Sequence, residues 1–184
     1  MTTRTNTGTT PRAWIGCLAC YNNARLVGEW FAAETADEVT LADVHGGAHR
    51  VRRGCEELWV MDHENIPASG EMSPSEAAGW ARVLLAVPEH QREALCALVT
   101  SGGYVAEGTG DLPSVPDFDE RFCGTWGSFR DYAETFAEEI GLISQDASEE
   151  LVRYFNWDAW TRDLEHDYTV VRADATSVYV FRDL

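Results

Sequence analysis

Residues 128–140 read SFRDYAETFAEEI, and residues 149–165 read EELVRYFNWDAWTRDLE. In the first stretch Phe129, Tyr132, Phe136 and Ile140 recur at helical spacing and predict a buried apolar stripe on a helix entered at Ser128. In the second, Leu151, Tyr154 and Phe155 face inward on one short helix. Trp157, Trp160 and Leu164 repeat the pattern on another. Asp146-Ala-Ser-Glu149 is a capping signal ahead of them. Tyr168–Val171 and Val178–Phe181 are β-runs that predict a closing hairpin. The C-terminal stretch, residues 105–184, is therefore an α+β domain. With its stripes turned inward, Asp131, Glu134 and Glu138 fall at i, i+3 and i+7 on one outer face. They are spaced about 4.5 and 6 Å along the axis. Glu149 and Glu150 project from the next helix, and Asp158 and Glu165 from the third. Like charges so placed cost a few tenths of a kcal/mol per pair. Their accumulation fits a surface selected for a partner; the competing reading is a solvated helix face.

Outward from there the chain is also α+β. Ala13–Tyr21 (AWIGCLACY) predicts a strand running into a Tyr21-Asn22-Asn23 turn. Leu26–Ala33 is a strand or one to two helical turns. Glu38–Val44 alternates Val39, Leu41 and Asp43 and predicts a strand. Gly46-Gly47 is a loop, and Glu57–Met61 another strand. Residues 12–66 thus form an N-terminal α+β domain behind a Thr-rich tail, residues 1–11, which lacks the apolar run of a secretory signal. Ser73-Pro74-Ser75-Glu76 is a capping box with proline in the first helical position. Ala77, Trp80, Ala81, Leu84 and Leu85 follow at helical spacing. Pro88 opens a second helix, with Leu95, Leu98 and Val99 inward, that ends at Gly102-Gly103. Residues 67–104 are a central helical domain, and Ala106–Glu120 reads as a loop or linker.

The charge balance narrows the partners. The 184 residues hold 31 acidic and 14 basic side chains, a formal net charge of −17, and every basic one is Arg. Residues 1–100 carry 13 acids and 8 Arg, and residues 101–184 carry 18 acids and 6 Arg, so the negative charge is concentrated toward the C-terminus. Nucleic-acid binding and anionic membranes are excluded, because both need clustered Lys and Arg. The natural partner is basic. A salt-rich cytoplasm also favours acidic chains, but uniformly along their length. Duplex DNA carries one charge per roughly 1.7 Å, so a net −17 matches about 29 Å of duplex and a dimer about 58 Å. No run of apolar residues is long enough to span a membrane. Cys17, Cys20, Cys55, Cys96 and Cys123 are odd in number and irregular in position, which is no disulfide framework and places the chain in a reducing cytoplasm.

Catalytic and metal signatures are weak. Cys17-x-x-Cys20 suggests metal or redox chemistry, but on a strand residues three apart point to opposite faces, so the thiols diverge and read as buried small hydrophobes. No second CxxC occurs, and His45, His49 and Cys55 complete no recognised spacing. Asp62-His63-Glu64 does not converge on one point, and His45-x-x-x-His49 flanks glycines rather than riding a helix. P-loop, GxSxG, HExxH and GxGxxG motifs are absent. The expectation is a protein without enzymatic activity, metal or cofactor.

Several segments together resemble the ArdA family of antirestriction proteins. The opening Pro11–Asn23 is similar to that family's strand running into "YNN", and Gly28-Glu-Trp30 to its "G-x-W". Trp59–His63 resembles its mid-chain segment with an acid after a strand. Phe122–Ala133 is similar to its "F-x-G-x-(aromatic)-x-S" helix entry, and Leu151–Glu165 to its antirestriction motif. Tyr179-Val-Phe181 also fits, so the resemblance runs over about residues 11–183. It implies an elongated protein of three small domains that dimerises. It also implies mimicry of bent DNA in the groove of a type I restriction–modification enzyme, blocking restriction and in some members modification. On that reading the phosphate surrogates are Asp131, Glu134, Glu138, Glu139, Glu149, Glu150, Asp158, Asp163, Glu165 and Asp167. The alternative is an acidic, immunity-type inhibitor that plugs a nuclease through one or two dominant residues.

Overall fold

In the computed structural model, which describes residues 9–108, 111–143 and 147–184, the N-terminal apolar run forms strand β1 (Arg12–Cys17). The strand expected to continue to Tyr21 stops at Cys17, and a one-turn helix, α1 (Leu18–Asn22), follows directly. Two hydrogen bonds fix the change of direction. The Leu18 N–H donates to the Glu57 carbonyl (3.1 Å), and the Asn23 side-chain amide donates to the Ala19 carbonyl (2.7 Å). The expected divergence of Cys17 and Cys20 therefore fails. The two thiols lie on the inside of a strand-to-helix turn, together with His45 and Cys55.

Strand β2 (Gly28–Ala32) pairs antiparallel with β1, with Gly16 opposite Gly28. The Trp14 indole lies over both glycines. A Cβ at Gly28 would run into that ring and into the Ile15 carbonyl oxygen. The segment expected to be a strand over 38–44 is instead a 3-10 stretch, Ala33–Glu38, followed by helix α2 (Leu41–His45). Thr40 and Asp43 form a capping box: the Asp43 N–H donates to Thr40 Oγ1 (3.3 Å), and the Thr40 N–H donates to the Asp43 carboxylate (2.9 Å). That local satisfaction of helix donors wins over the short alternation of Val39, Leu41 and Asp43. Gly46 then terminates α2 in the left-handed region at φ +70°. Strand β3 (Leu58–Glu64) completes a sheet of order β2-β1-β3.

Helix α3 (Pro74–Ala86) starts at the predicted capping box: the Glu76 N–H donates to Ser73 Oγ (3.2 Å), and the Glu76 carboxylate accepts from the Ser73 N–H (2.7 Å). It packs on the 3-10 stretch, where Ala33, Ala36, Ala77, Ala78 and Ala81 are fully buried. Small side chains allow this close approach. Arg82 Nη2 clamps the same junction by donating to both carboxylate oxygens of Asp37 (2.8 and 2.9 Å). Helix α4 (Arg92–Ser101) buries Leu95, Leu98 and Val99 and ends at Gly102, φ +78°.

The expected linker over 106–120 holds a helix, α5 (Val115–Arg121), anchored by the fully buried Phe118. Strand β4 (Phe122–Trp126), helices α6 (Phe129–Glu139), α7 (Glu149–Tyr154) and α8 (Trp157–Leu164), and strands β5 (Tyr168–Arg172) and β6 (Val178–Arg182) follow. The predicted hairpin is β5-β6, and the antiparallel sheet order is β4-β6-β5. Phe129, Tyr132, Ala133, Tyr168 and Val180 form its core, with the Tyr132 hydroxyl donating to that of Tyr168 (3.0 Å). Helices with two small antiparallel sheets make the protein α+β. Contacts group the chain into two compact units, one through Cys96 with Ala106–Val115, the other Ala97–Val105 with Pro116–Leu184. Among the described residues no helix is long and apolar enough to cross a membrane.

Candidate functional site

The acidic helices of the second unit begin with a cap. The Ser128 hydroxyl accepts from the Asp131 N–H (3.2 Å) and sets the first turn of α6. Phe129, Tyr132, Ala133 and Ala137 are buried, so the opposite face of α6 carries Asp131, Glu138 and Glu139 exposed and Glu134 half-buried. Ile140 was expected in the buried stripe but is 51% exposed. The helix ends one residue before it: Gly141 turns left-handed at φ +67°, the Leu142 N–H returns to the Ala137 carbonyl (2.9 Å), and Ala137 takes the inward position.

Helix α8 is capped by the Asn156 side chain, which accepts from the Ala159 N–H (3.1 Å). It docks on α6 through Trp160, whose indole N–H donates to the Ala133 carbonyl (3.4 Å); Trp160 and Leu164 pack against the core as expected. Phe155 sits edge-on to Trp157 with ring centroids 4.7 Å apart, joining the exit of α7 to α8. Tyr154, expected to face inward, is 78% exposed because the chain leaves α7 at that residue. Asp146 of the expected capping signal lies outside the described residues. Glu149 and Glu150 are exposed in the first turn of α7, where carboxylates meet the positive end of the helix.

Arg130 was not anticipated. Its guanidinium donates to Glu134 (2.7 Å) and to Asp158 (2.7 Å), tying α6 to α8. Glu134 first, then Asp158, hold the guanidinium charge more firmly than usual. Arg162 pairs with its neighbour Asp163 (3.0 Å). Three of the ten expected surrogates therefore share arginines. Among the described residues, Asp131, Glu138, Glu139, Glu149, Glu150, Glu165 and Asp167 make no ion pair and are exposed. Residues 128–167 hold 11 acids against 3 Arg, a net −8 over forty residues. The i, i+4 spacing of Arg130 and Glu134 is a sequence signal for that contact alone, not for the reach to Asp158.

The surface carries exposed carboxylate acceptors. Each can take charge-assisted hydrogen bonds from Lys or Arg, two-pronged in the case of Arg.

Comparison with curated proteins finds no match for the chain. A family model described as "Antirestriction protein (ArdA)" matches residues 13–179, which takes in all three acidic helices and the strands of both sheets as far as the start of β6. The chain belongs to the ArdA family of antirestriction proteins.

Proposed function

We propose that this protein mimics DNA: its carboxylates enter the DNA-binding groove of a type I restriction–modification enzyme, exclude the substrate and block restriction, with modification blocked where both activities share the groove. The observation that carries the reading is the set of seven exposed carboxylates without ion pairs on α6, on α7 and in the turn after α8, among the described residues of a chain of the antirestriction family. The groove of such an enzyme is lined with cations placed to meet phosphates. Asp131 and Glu138, unpaired and about 10.5 Å apart along the axis of α6, present those cations with acceptors of the right charge. No base edge is displayed, so inhibition does not depend on the enzyme's recognition sequence. The charge is already fixed on folded helices, and binding avoids the deformation energy that a bent duplex would cost. No covalent chemistry is needed. We further propose that the working form is an elongated homodimer of three-domain chains, acting in the cytoplasm. Doubling the chain doubles the mimicked length to about 58 Å on net charge.

The test is displacement. The protein is titrated into a type I methyltransferase bound to labelled DNA, at two salt concentrations. Release near one dimer per enzyme, weakening as salt rises, is the expected result. Absence of release at large excess, with the enzyme competent for DNA, would reject the groove-binding reading. Inhibition of a nuclease instead, lost on one alanine substitution, would establish the plug-type alternative.

A further inference from the structure

The first unit holds a buried cluster that the acidic surface does not use. Cys17, Cys20, His45 and Cys55 each bring one ligand atom to a common point, all within 4.8 Å of one another. Cys20 Sγ and Cys55 Sγ are 3.8 Å apart. That is far longer than a disulfide bond of about 2.05 Å. It equals the edge of a tetrahedron whose centre lies about 2.3 Å from each sulfur, the Zn–S distance. His45 Nε2 is buried and has no hydrogen-bond partner among the described residues. A buried imidazole nitrogen left so is costly unless it meets a cation or a donor.

We propose that Cys17, Cys20, His45 and Cys55 bind one Zn2+ in a closed, tetrahedral, structural site. The donor set of three thiolates and an imidazole selects a soft or borderline ion over Mg2+ or Ca2+. Four protein ligands leave no open position for a catalytic water. An outer contact suits thiolates as well. Arg25 Nη2 lies 3.8 Å from Cys20 Sγ and offers a cation to a complex whose three thiolates outweigh the metal by one negative charge.

The placement of the ligands supplies the reason for a metal. Cys17 ends β1, Cys20 rides α1, His45 ends α2, and Cys55 lies in the loop before β3. Between Ala36 and Val60 only Val44 and Cys55 are buried, with His45 half-buried around its enclosed Nε2. A segment with so little apolar burial cannot be held to the sheet by a core, and small units commonly replace the missing core with a metal or disulfides. One ion joining four points of the chain would fix α2 and the following loop onto the end of β1.

The test is metal analysis of the purified full-length protein produced in zinc-supplemented medium. One zinc per chain is expected. After chelation, refilling with Co2+ should give the visible bands of a tetrahedral site and sulfur-to-cobalt charge transfer. Cys20→Ser and Cys55→Ser should lose the metal, whereas Cys96→Ser and Cys123→Ser should keep it. His45→Cys, which conserves a ligand, should keep one metal with an added thiolate contribution to the Co2+ spectrum. If the ligand variants do not fold, the zinc count and Co2+ spectrum of the unaltered chain decide the matter. A folded protein without stoichiometric metal overturns the proposal. So does a metal that survives Cys20→Ser/Cys55→Ser, or a Cys20–Cys55 disulfide formed in air in place of metal uptake. None of these outcomes bears on displacement of DNA by the acidic surface.

Discussion

Removing the guanidinium of Arg121 should destabilise the second unit more than any single change on its acidic face. Arg121 is 6% exposed, at the junction of α5 and β4. Its donors reach the carbonyls of Gly103 (2.6 Å) and Arg182 (2.9 Å) and the carboxylates of Asp183 (3.1 Å) and Asp117 (3.5 Å). Asp183 also accepts from the Thr169 hydroxyl (2.7 Å), so the network ties α5 to both strands of the hairpin. Arg121→Met retains most of the buried stem and removes only the donors. Breaking a buried pair from one side costs about 3–5 kcal/mol. Asp183 is 45% exposed and recovers water, whereas Asp117 at 15% and the two carbonyls recover less. The expected loss is therefore at the lower end, about 3 kcal/mol. In a chain of this length it lowers the melting temperature by roughly 6–12 °C. Arg121→Lys should recover only part, since one ammonium cannot serve four acceptors in a fixed plane. The assay is urea unfolding followed by near-UV dichroism of the aromatic cluster around Phe118, Phe122 and Phe181, with the slope compared between variants. A loss below about 1 kcal/mol at unchanged slope would refute the reasoning and mean that water replaces the arginine without strain.

The acidic surface gives two further predictions. Single changes among Glu138, Glu139 and Glu165 to Gln should weaken DNA displacement by no more than about fivefold each, as expected for exposed ion pairs. The triple variant should compound them, and one substitution abolishing displacement would point to a compact hot spot instead. Arg130→Gln frees Glu134 and Asp158 from their shared partner, so displacement should strengthen in titrations at low salt; weaker displacement would show that orienting α8 on α6 matters more than net charge. In the first unit, Gly28→Ala should cost about 2 kcal/mol through overpacking against Trp14 and the Ile15 carbonyl, read by thermal melting. The Glu76 carboxyl is held below its ordinary range by the Ser73 hydrogen bonds. Its contribution is complete above the unfolded carboxylate range near pH 4.3 and is lost as pH falls through the lower folded value. Glu76→Gln should therefore flatten that part of the acid stability profile, and an unchanged profile would dissociate the cap from acid sensitivity.

Strong local chemistry made part of the fold legible in advance. Ser73-Pro74-Ser75-Glu76 carries every requirement of a helix start, and Tyr168–Val171 with Val178–Phe181 offers paired apolar runs, so tertiary context had nothing to overrule. Between Glu38 and Val44 two local signals conflicted. Alternation of Val39, Leu41 and Asp43 suggested a strand, while Thr40 and Asp43 form a capping box with aspartate in the third position. The box satisfies helix donors at once, whereas a strand there would need a partner, and β1 already has β2 and β3 on its two sides. In the 106–120 stretch a single buried aromatic, Phe118, outweighed a loop-like composition.

The same physics explains which parts of the sites were legible. A helix face needs only periodicity, so spacing alone places Asp131 and Glu138 outside. Pairing across α6 and α8 is a tertiary event, and Arg130 reaching Asp158 has no sequence signature. The thiol cluster depended on one backbone decision. If β1 ran on through Cys20, Cys17 and Cys20 would face opposite ways and no ligand set could form. Because Leu18 finds its acceptor at Glu57 and Asn23 closes the turn on Ala19, the chain folds back after Cys17. Cys55 is only two residues before Glu57, so the hydrogen bond that ends the strand also draws the third thiol toward the first two. Sequence spacing alone could not expose that cluster, because its geometry follows from the contact of Leu18 with Glu57, 39 residues further along the chain.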